Sequence, residues 1–274
     1  MTARVPLPIS RGAGRLAVVG LALTLVAAAC TPRVAAPGAQ DTETLTVFAA
    51  ASLRDVFGQL EQRWEDSNPD VRLVAAFDGS NVLATQIAQG APADVFLSAD
   101  TERPQSLASA GLTAGRPVSI ARNRIAIVSA LGDDGIETLA DLGVPGVRIV
   151  AAGRSVPITR YSERFLDLIA ATMPAAPDYL QRVEANIVSR EDNVRAALAK
   201  VELGEGDAAI VYLTDALSSD RVRQIAVPAG VSVSVEYGAV QVSEREAAAA
   251  FIDWLRGPEA TATFIEAGFE PVRR

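Results

Sequence analysis

The chain has 274 residues, 49% of them apolar and 5% aromatic, with a formal charge of −8, which is enough to bury one large or two modest cores. No clustered Lys or Arg provides the basic footprint that nucleic acid needs, and so few aromatics argue against stacking platforms for sugars or bases. His is absent, which removes the commonest general base and metal ligand, and a single Cys, Cys30, excludes an intrachain disulfide.

Arg4, Arg11 and Arg15 form a positive stretch ahead of an apolar run from Leu16 to Val26. The run has signal-peptide length and is short for a membrane span. Residues 1–29 therefore read as a signal peptide, and their loss leaves a more acidic chain. The run ends in Ala27-Ala28-Ala29-Cys30, which resembles the lipobox of bacterial lipoproteins, with Ala27 where Leu is usual. On that reading Cys30 is lipidated and anchors an exported, periplasmic or cell-surface protein. Cleavage after an Ala-x-Ala site, leaving a free thiol, is the alternative. Residues 30–43 then supply the lipidated Cys and a flexible tether.

Leu45 to Ala50 reads as a buried strand, and Leu53, Val56, Phe57, Leu60 and Trp64 recur at helical spacing from Ser52 until Asn68-Pro69 stops them. Val71 to Phe77 is a second strand. A helix follows with Ser80 near its start and Gly90 at its end, and Asp94 to Ser98 is a third strand. This βαβαβ series predicts a parallel sheet covered by helices. A second series begins near Arg124. It contains strands at Ile125–Val128 and Val147–Ala151 and a helix through Tyr161, Phe165, Leu168 and Ile169. A helix from Val194 to Val201 stopped by Gly204 follows, then a strand from Ala208 to Leu213. Val231 to Val242 reads as one long strand or a pair. Ser243 and Glu246 form a capping box ahead of an Ala-rich helix through Trp254. Gly257-Pro258 breaks that helix, and Ala260 to Ala267 forms the last one.

Two blocks in the first half share one plan: an apolar strand, a small polar residue, then a helix. Each brings a hydroxyl and free backbone N–H groups to one point, which suits an anion. Taken singly, Ser52 and Ser80 read as helix caps, Tyr212 as packing and Val194 as the first core residue of its helix. Together they predict a cleft closing on a small anion.

The joint pattern resembles the molybdate-binding receptors of bacterial ABC importers, which have a type II periplasmic-binding fold. The resemblance runs over roughly residues 45–270. It is carried by Phe48-Ala49-Ala50-Ala51-Ser52-Leu53, Leu83-Ala84-Thr85-Gln86-Ile87-Ala88-Gln89-Gly90-Ala91-Pro92-Ala93-Asp94-Val95-Phe96, Asn193-Val194-Arg195-Ala196-Ala197-Leu198-Ala199 and Ile210-Val211-Tyr212-Leu213-Thr214-Asp215-Ala216. It implies an α/β protein of two lobes with mostly parallel sheets flanked by helices. Lobe one would be 44–121 plus 238–274 and lobe two 122–237, joined by two interlobe crossovers. By the same resemblance the oxyanion is held by Ser52, Ser80, the amides of Ile158 and Val194, and Tyr212. Molybdate is bound through its oxygens by these residues, with no direct metal ligand and no cofactor. The implied partners are molybdate or tungstate and a membrane ABC permease, met by a monomer held at the membrane through its lipid.

Molybdate at neutral pH is a fully deprotonated dianion that only accepts hydrogen bonds, so hydroxyls, amides and helix N-termini suffice without a formal positive charge. Two departures from the family pattern bear on the ligand. Ile158-Thr159-Arg160 replaces the usual Ala-Gly before Tyr161, which brings a charge near the cleft. Asp78 and Asn81 flank Ser80; an inward Asp78 would suit a protonated oxyanion such as phosphate, whereas an Asp78 facing solvent or a turn N–H would not. Sulfate is a further alternative. A secreted hydrolase is disfavoured by the missing His, the absence of a Gly-x-Ser-x-Gly elbow, and a single lysine, Lys200, with no Ser beside it. A binding module for another solute or a regulatory ectodomain is a further alternative, whereas the effector domain of a transcription regulator would carry a helix-turn-helix and no export signal, so the export segment disfavours it.

Overall fold

In a computed structural model that describes residues 42–132, 135–173 and 176–273, the first strand, β1 (Glu43–Ala50), is flanked by β2 (Val71–Asp78) and β3 (Val95–Ser98), both parallel to it. A 3-10 turn (Ala51–Leu53) and α1 (Arg54–Ser67) connect the first two strands, and α2 (Ser80–Ala88) connects to the third. This is the predicted βαβαβ unit. The expected signal peptide, the lipidation of Cys30 and nearly all of the tether lie outside the described residues.

The next elements are α3 (Glu102–Ser109) and the 13-residue β4 (Val118–Ala130), then β5 (Ile149–Ala152), α4 (Pro157–Ala171), α5 (Tyr179–Ala185) and β6 (Ile187–Glu191). They are followed by α6 (Val194–Glu202), β7 (Ala208–Tyr212), the short α7 (Leu213–Leu217) and β8 (Val222–Gln224). The chain ends with β9 (Ser234–Gln241), α8 (Glu246–Leu255) and α9 (Pro258–Glu266). The strand order is β2-β1-β3-β9-β4-β7-β5-β6, with β8 on β4. Outer pairs are parallel and the central ones antiparallel, because β4 and β9 run back and forth between two half-sheets. From Val118 to Arg124, β4 pairs with β9; from Ile125 onward it pairs with β7 and then β8. One continuous strand therefore belongs to both halves.

The C-terminal helices return to the first half. Trp64 of α1 packs edge-on against Phe251 and Trp254 of α8, with ring centroids 5.2 and 5.7 Å apart. Burying each such ring contributes a few kcal/mol, roughly 1.5–3 for a large apolar side chain. Two glycine stops behave as predicted: Gly90 ends α2 and Gly204 ends α6, with φ of 90° and 74°.

The predicted capping box at Ser243 is not formed. Arg245 is the cap position of α8 and no side chain caps it. The Ser243 hydroxyl instead donates to Asp94 Oδ1 at 2.7 Å, while Asp94 Oδ2 accepts from the Thr46 N–H at 2.8 Å. A buried carboxylate between strands needs donors more than a helix end open to water does, so the tertiary demand overrides the local motif.

Candidate functional site

Parallel neighbours end at the same sheet edge, and this is what assembles the site. Ala50 of β1 lies opposite Asp78 of β2, so the turns carrying Ser52 and Ser80 stand side by side. In the other half Ala152 of β5 lies opposite Glu191 of β6, which sets the starts of α4 and α6 together. The two pairs of strand-to-helix turns face each other. Ser52, Ser80, Val194 and Tyr212 line one small cavity, with Asp78, Gly79, Val156, Pro157 and Asn193 among its other walls. It is small, leaving about 10 Å³ for the centre of a water-sized guest, about one such centre. None of its lining residues is Lys or Arg.

Neither serine caps a helix. The cap positions of the 3-10 turn and of α2 are Ala50 and Gly79, and no side chain bonds there. The Ser80 hydroxyl, 1% exposed, accepts from the Ala99 N–H at 3.0 Å. The Ser52 hydroxyl lies 2.8 Å from the Tyr237 hydroxyl. The Tyr212 hydroxyl is buried and has no hydrogen-bond partner among the described residues. Burial raises the Tyr212 phenol well above its ordinary pKa, so it stays protonated and able to donate.

Helix starts supply the amides. α4 begins with Pro157, which has no N–H, so Ile158 carries its first donor while the Ile158 side chain is buried in the core. Val194 opens α6 behind Asn193, whose side chain caps the helix by accepting from the Ala196 N–H at 3.0 Å. Of the predicted residues, Ser52, Ser80, Val194 and Tyr212 share the cavity wall. Ile158 stands one residue beyond it, next to Pro157.

The two departures resolve in the structure. Asp78 Oδ1 accepts from the Gly79 N–H at 2.7 Å, as a turn-facing carboxylate should, and also from Asn193 Nδ2 across the cleft at 3.2 Å. Arg160 does not line the cavity; it pairs with Glu102 of the opposite half. Further contacts join the halves: Asn81 Nδ2 donates to the Ser155 hydroxyl at 3.1 Å, Arg103 to the Ser155 carbonyl, and Arg195 pairs with Asp55 at 3.0 Å. From sequence, Gly79, Asn193 and Tyr237 were given no role in the site. Only Asn193 had a local signal, an Asn directly ahead of a helical run.

Behind Tyr212, burial lifts the Asp215 carboxyl from 3.8 to about 7, opposed by Arg195. The folded protein keeps this proton over a range in which the unfolded chain has lost it. The contribution of this one group to stability is therefore greatest below about pH 4, falls as pH rises to about 7, and is level above, by at most about 4 kcal/mol. Thermal melts across this range should show Asp215→Asn removing that downward slope; an unchanged slope would assign it elsewhere.

Among the described residues no group of three or more His, Cys, Asp or Glu is placed to hold a metal ion. A family model described as bacterial extracellular solute-binding protein matches residues 45–270. The molybdate-binding protein ModA of Mycobacterium tuberculosis is 42% identical over 180 residues, 65% of this chain and 64% of that protein. The match thus spans just under two thirds of the length of the mycobacterial relative. ModA of Escherichia coli is 29% identical over 88% of this chain and 95% of its own. Among solved structures, the periplasmic molybdate-binding protein of Azotobacter vinelandii superposes with a TM-score of 0.69 at 21% identity, covering 84% of this chain and 100% of that one. The sulfate-binding protein SubI of M. tuberculosis gives 0.72 at 20% identity, covering 84% and 87%. At such identities these two structures establish the fold and do not choose between the anions.

Proposed function

The chain belongs to the bacterial extracellular solute-binding proteins, and from that membership we propose that it is a molybdate receptor that delivers its ligand to an ABC permease. One observation carries the reading: a small cavity between the two halves has hydroxyls and helix-start amides around it, no Lys or Arg in its wall, and a buried Tyr212 hydroxyl with no hydrogen-bond partner among the described residues. Such a cage suits an unprotonated tetrahedral dianion. Each hydrogen bond to a charged oxygen contributes about 1.5–3 kcal/mol, and five of them, less desolvation and closure, support micromolar or tighter binding at about −8 kcal/mol. The mycobacterial and enteric relatives named for molybdate support the choice of ion.

In this reading Ser52 and Ser80 act from a first lobe, residues 44–121 plus 238–274. Ile158, Val194 and Tyr212 act from a second, 122–237. Contact with both favours the closed form, and the permease reads that difference. Tungstate, nearly the same size, binds comparably; sulfate is smaller and cannot reach every donor at once. The receptor works as a monomer, without a cofactor and without catalysis. It is exported by residues 1–29 and held at the outer face of the membrane by a lipid on Cys30.

Isothermal titration tests the ligand. Molybdate and tungstate should bind within a few-fold of each other and sulfate more weakly. Phosphate binding tighter than molybdate would overturn the choice of ion and make Asp78 an acceptor for its proton.

A further inference from the structure

We propose that Tyr237 and Asn123 are positioning residues that aim the Ser52 hydroxyl, keeping its proton for the guest in the cavity; this rests on the oxyanion reading above. Asn123 lies on β4, the strand shared by the two halves, and Tyr237 on β9 beside it, and both are fully buried.

The direction of the relay follows from which atoms can only donate. The Arg124 N–H donates to Asn123 Oδ1 at 2.8 Å. That bond fixes the amide, because a flipped side chain would set its NH₂ against the backbone N–H. Nδ2 therefore faces the other way, donating to the Thr214 hydroxyl at 2.9 Å and, over a longer 3.5 Å, to the Tyr237 oxygen. An amide nitrogen accepts nothing, so the Tyr237 proton cannot go back to it. Its one acceptor among the described residues is Ser52 Oγ, 2.8 Å away. A buried hydroxyl left without an acceptor is costly, so Tyr237 donates and Ser52 accepts.

Ser52 then does not spend its own proton on Tyr237, and that proton is left for the cavity. Being donated to also polarises the Ser52 hydroxyl and makes it a stronger donor. Ser80 is treated alike by simpler means: the Ala99 N–H, which can only donate, occupies its oxygen from behind at 3.0 Å. Both hydroxyls thus turn protons toward a guest that has only lone pairs to offer. Tyr237 itself does not line the cavity, so it acts through Ser52.

The test is a double-mutant comparison read by isothermal titration with molybdate. Tyr237→Phe should weaken binding about three- to ten-fold. On a Ser52→Ala background the same change should cost less than about two-fold, because the hydroxyl it aims is gone. On a Ser80→Ala background it should keep its full effect. Equal losses on all three backgrounds would make Tyr237 a merely structural residue and overturn the inference, while leaving the receptor reading in place. A wild-type protein that binds none of molybdate, tungstate, sulfate and phosphate would overturn both. Should Tyr237→Phe melt before it can be titrated, Asn123→Leu serves for the same comparison. It removes the amide that holds the Tyr237 oxygen in place, so Ser52 is aimed less firmly: binding should weaken on the wild-type background and change little once Ser52 is alanine. A loss of equal size there would again overturn the inference.

Discussion

Ser80→Ala is expected to weaken molybdate binding by about 1–3 kcal/mol, a loss of roughly five- to 150-fold. The change removes a donor from the cage and also orphans the Ala99 N–H, which donates to Ser80 at 3.0 Å in a fully buried setting. The second effect lowers the stability of the free protein, by about 1 kcal/mol. The two are separable: titration reports the affinity and a melt without ligand reports the orphaned amide. Ser52→Ala should weaken binding by a similar amount, since it removes the other hydroxyl donor, and it also strips the Tyr237 hydroxyl of its acceptor, which lowers stability. Unaltered affinity in both variants would show that these hydroxyls serve the fold and not the ligand.

Gly79→Ala should be as damaging for a different reason. Gly79 has φ −58° and ψ 135°, a backbone any residue adopts, so nothing local forbids a side chain. Space across the cleft does. A Cβ there would stand 2.6 Å from the Asp192 carbonyl oxygen and 2.8 Å from Asn81 Oδ1. Asp192 follows β6 in the opposite half, and its carbonyl is backbone that cannot swing aside. The halves must then stay apart by part of an ångström, or the clash must be absorbed at about 1–3 kcal/mol. Either way the cage fails to close on its donors, and affinity should fall roughly ten- to 100-fold. The ligand-free variant, able to open, should melt within about 0.5 kcal/mol of the parent. Gly79→Val should be worse. A Gly79→Ala protein that binds molybdate normally would mean that the closed arrangement is not the binding one.

Much of the fold and half the cage are local, and local features can be read from sequence. A strand, a small polar residue and a helical run give Ser52 and Ser80 with no knowledge of what lies opposite. Asn68-Pro69, Gly90 and Gly204 mark ends because each carries its own stop. Elements with few apolar residues were missed. In α3 only Pro104 and Leu107 are buried, and β6 is an edge strand without a fully buried residue. The failed capping box at Ser243 and the relay through Asn123 and Tyr237 share another cause. Ser243 meets Asp94 across 149 residues, and Asn123 meets Tyr237 across 114. No window along the chain contains both partners, so the chemistry each side chain performs is decided only when the sheet assembles. Gly79 reads as a turn residue, and nothing near it in sequence announces the carbonyl it must clear.

The placement of β9 has a consequence for how such a chain is made. β9 lies between β3 and β4, pairing Ser98 with Gly238 and Asn123 with Val235. A ribosome that has delivered residues 43–109 has supplied every strand and helix of the first βαβαβ unit, yet one flank of β3 stays bare until synthesis is almost complete. The helices that cover α1 come later still. Contacts so distant along the chain form slowly, so the first half stays incomplete until roughly the last forty residues, which carry β9 and both covering helices, are available.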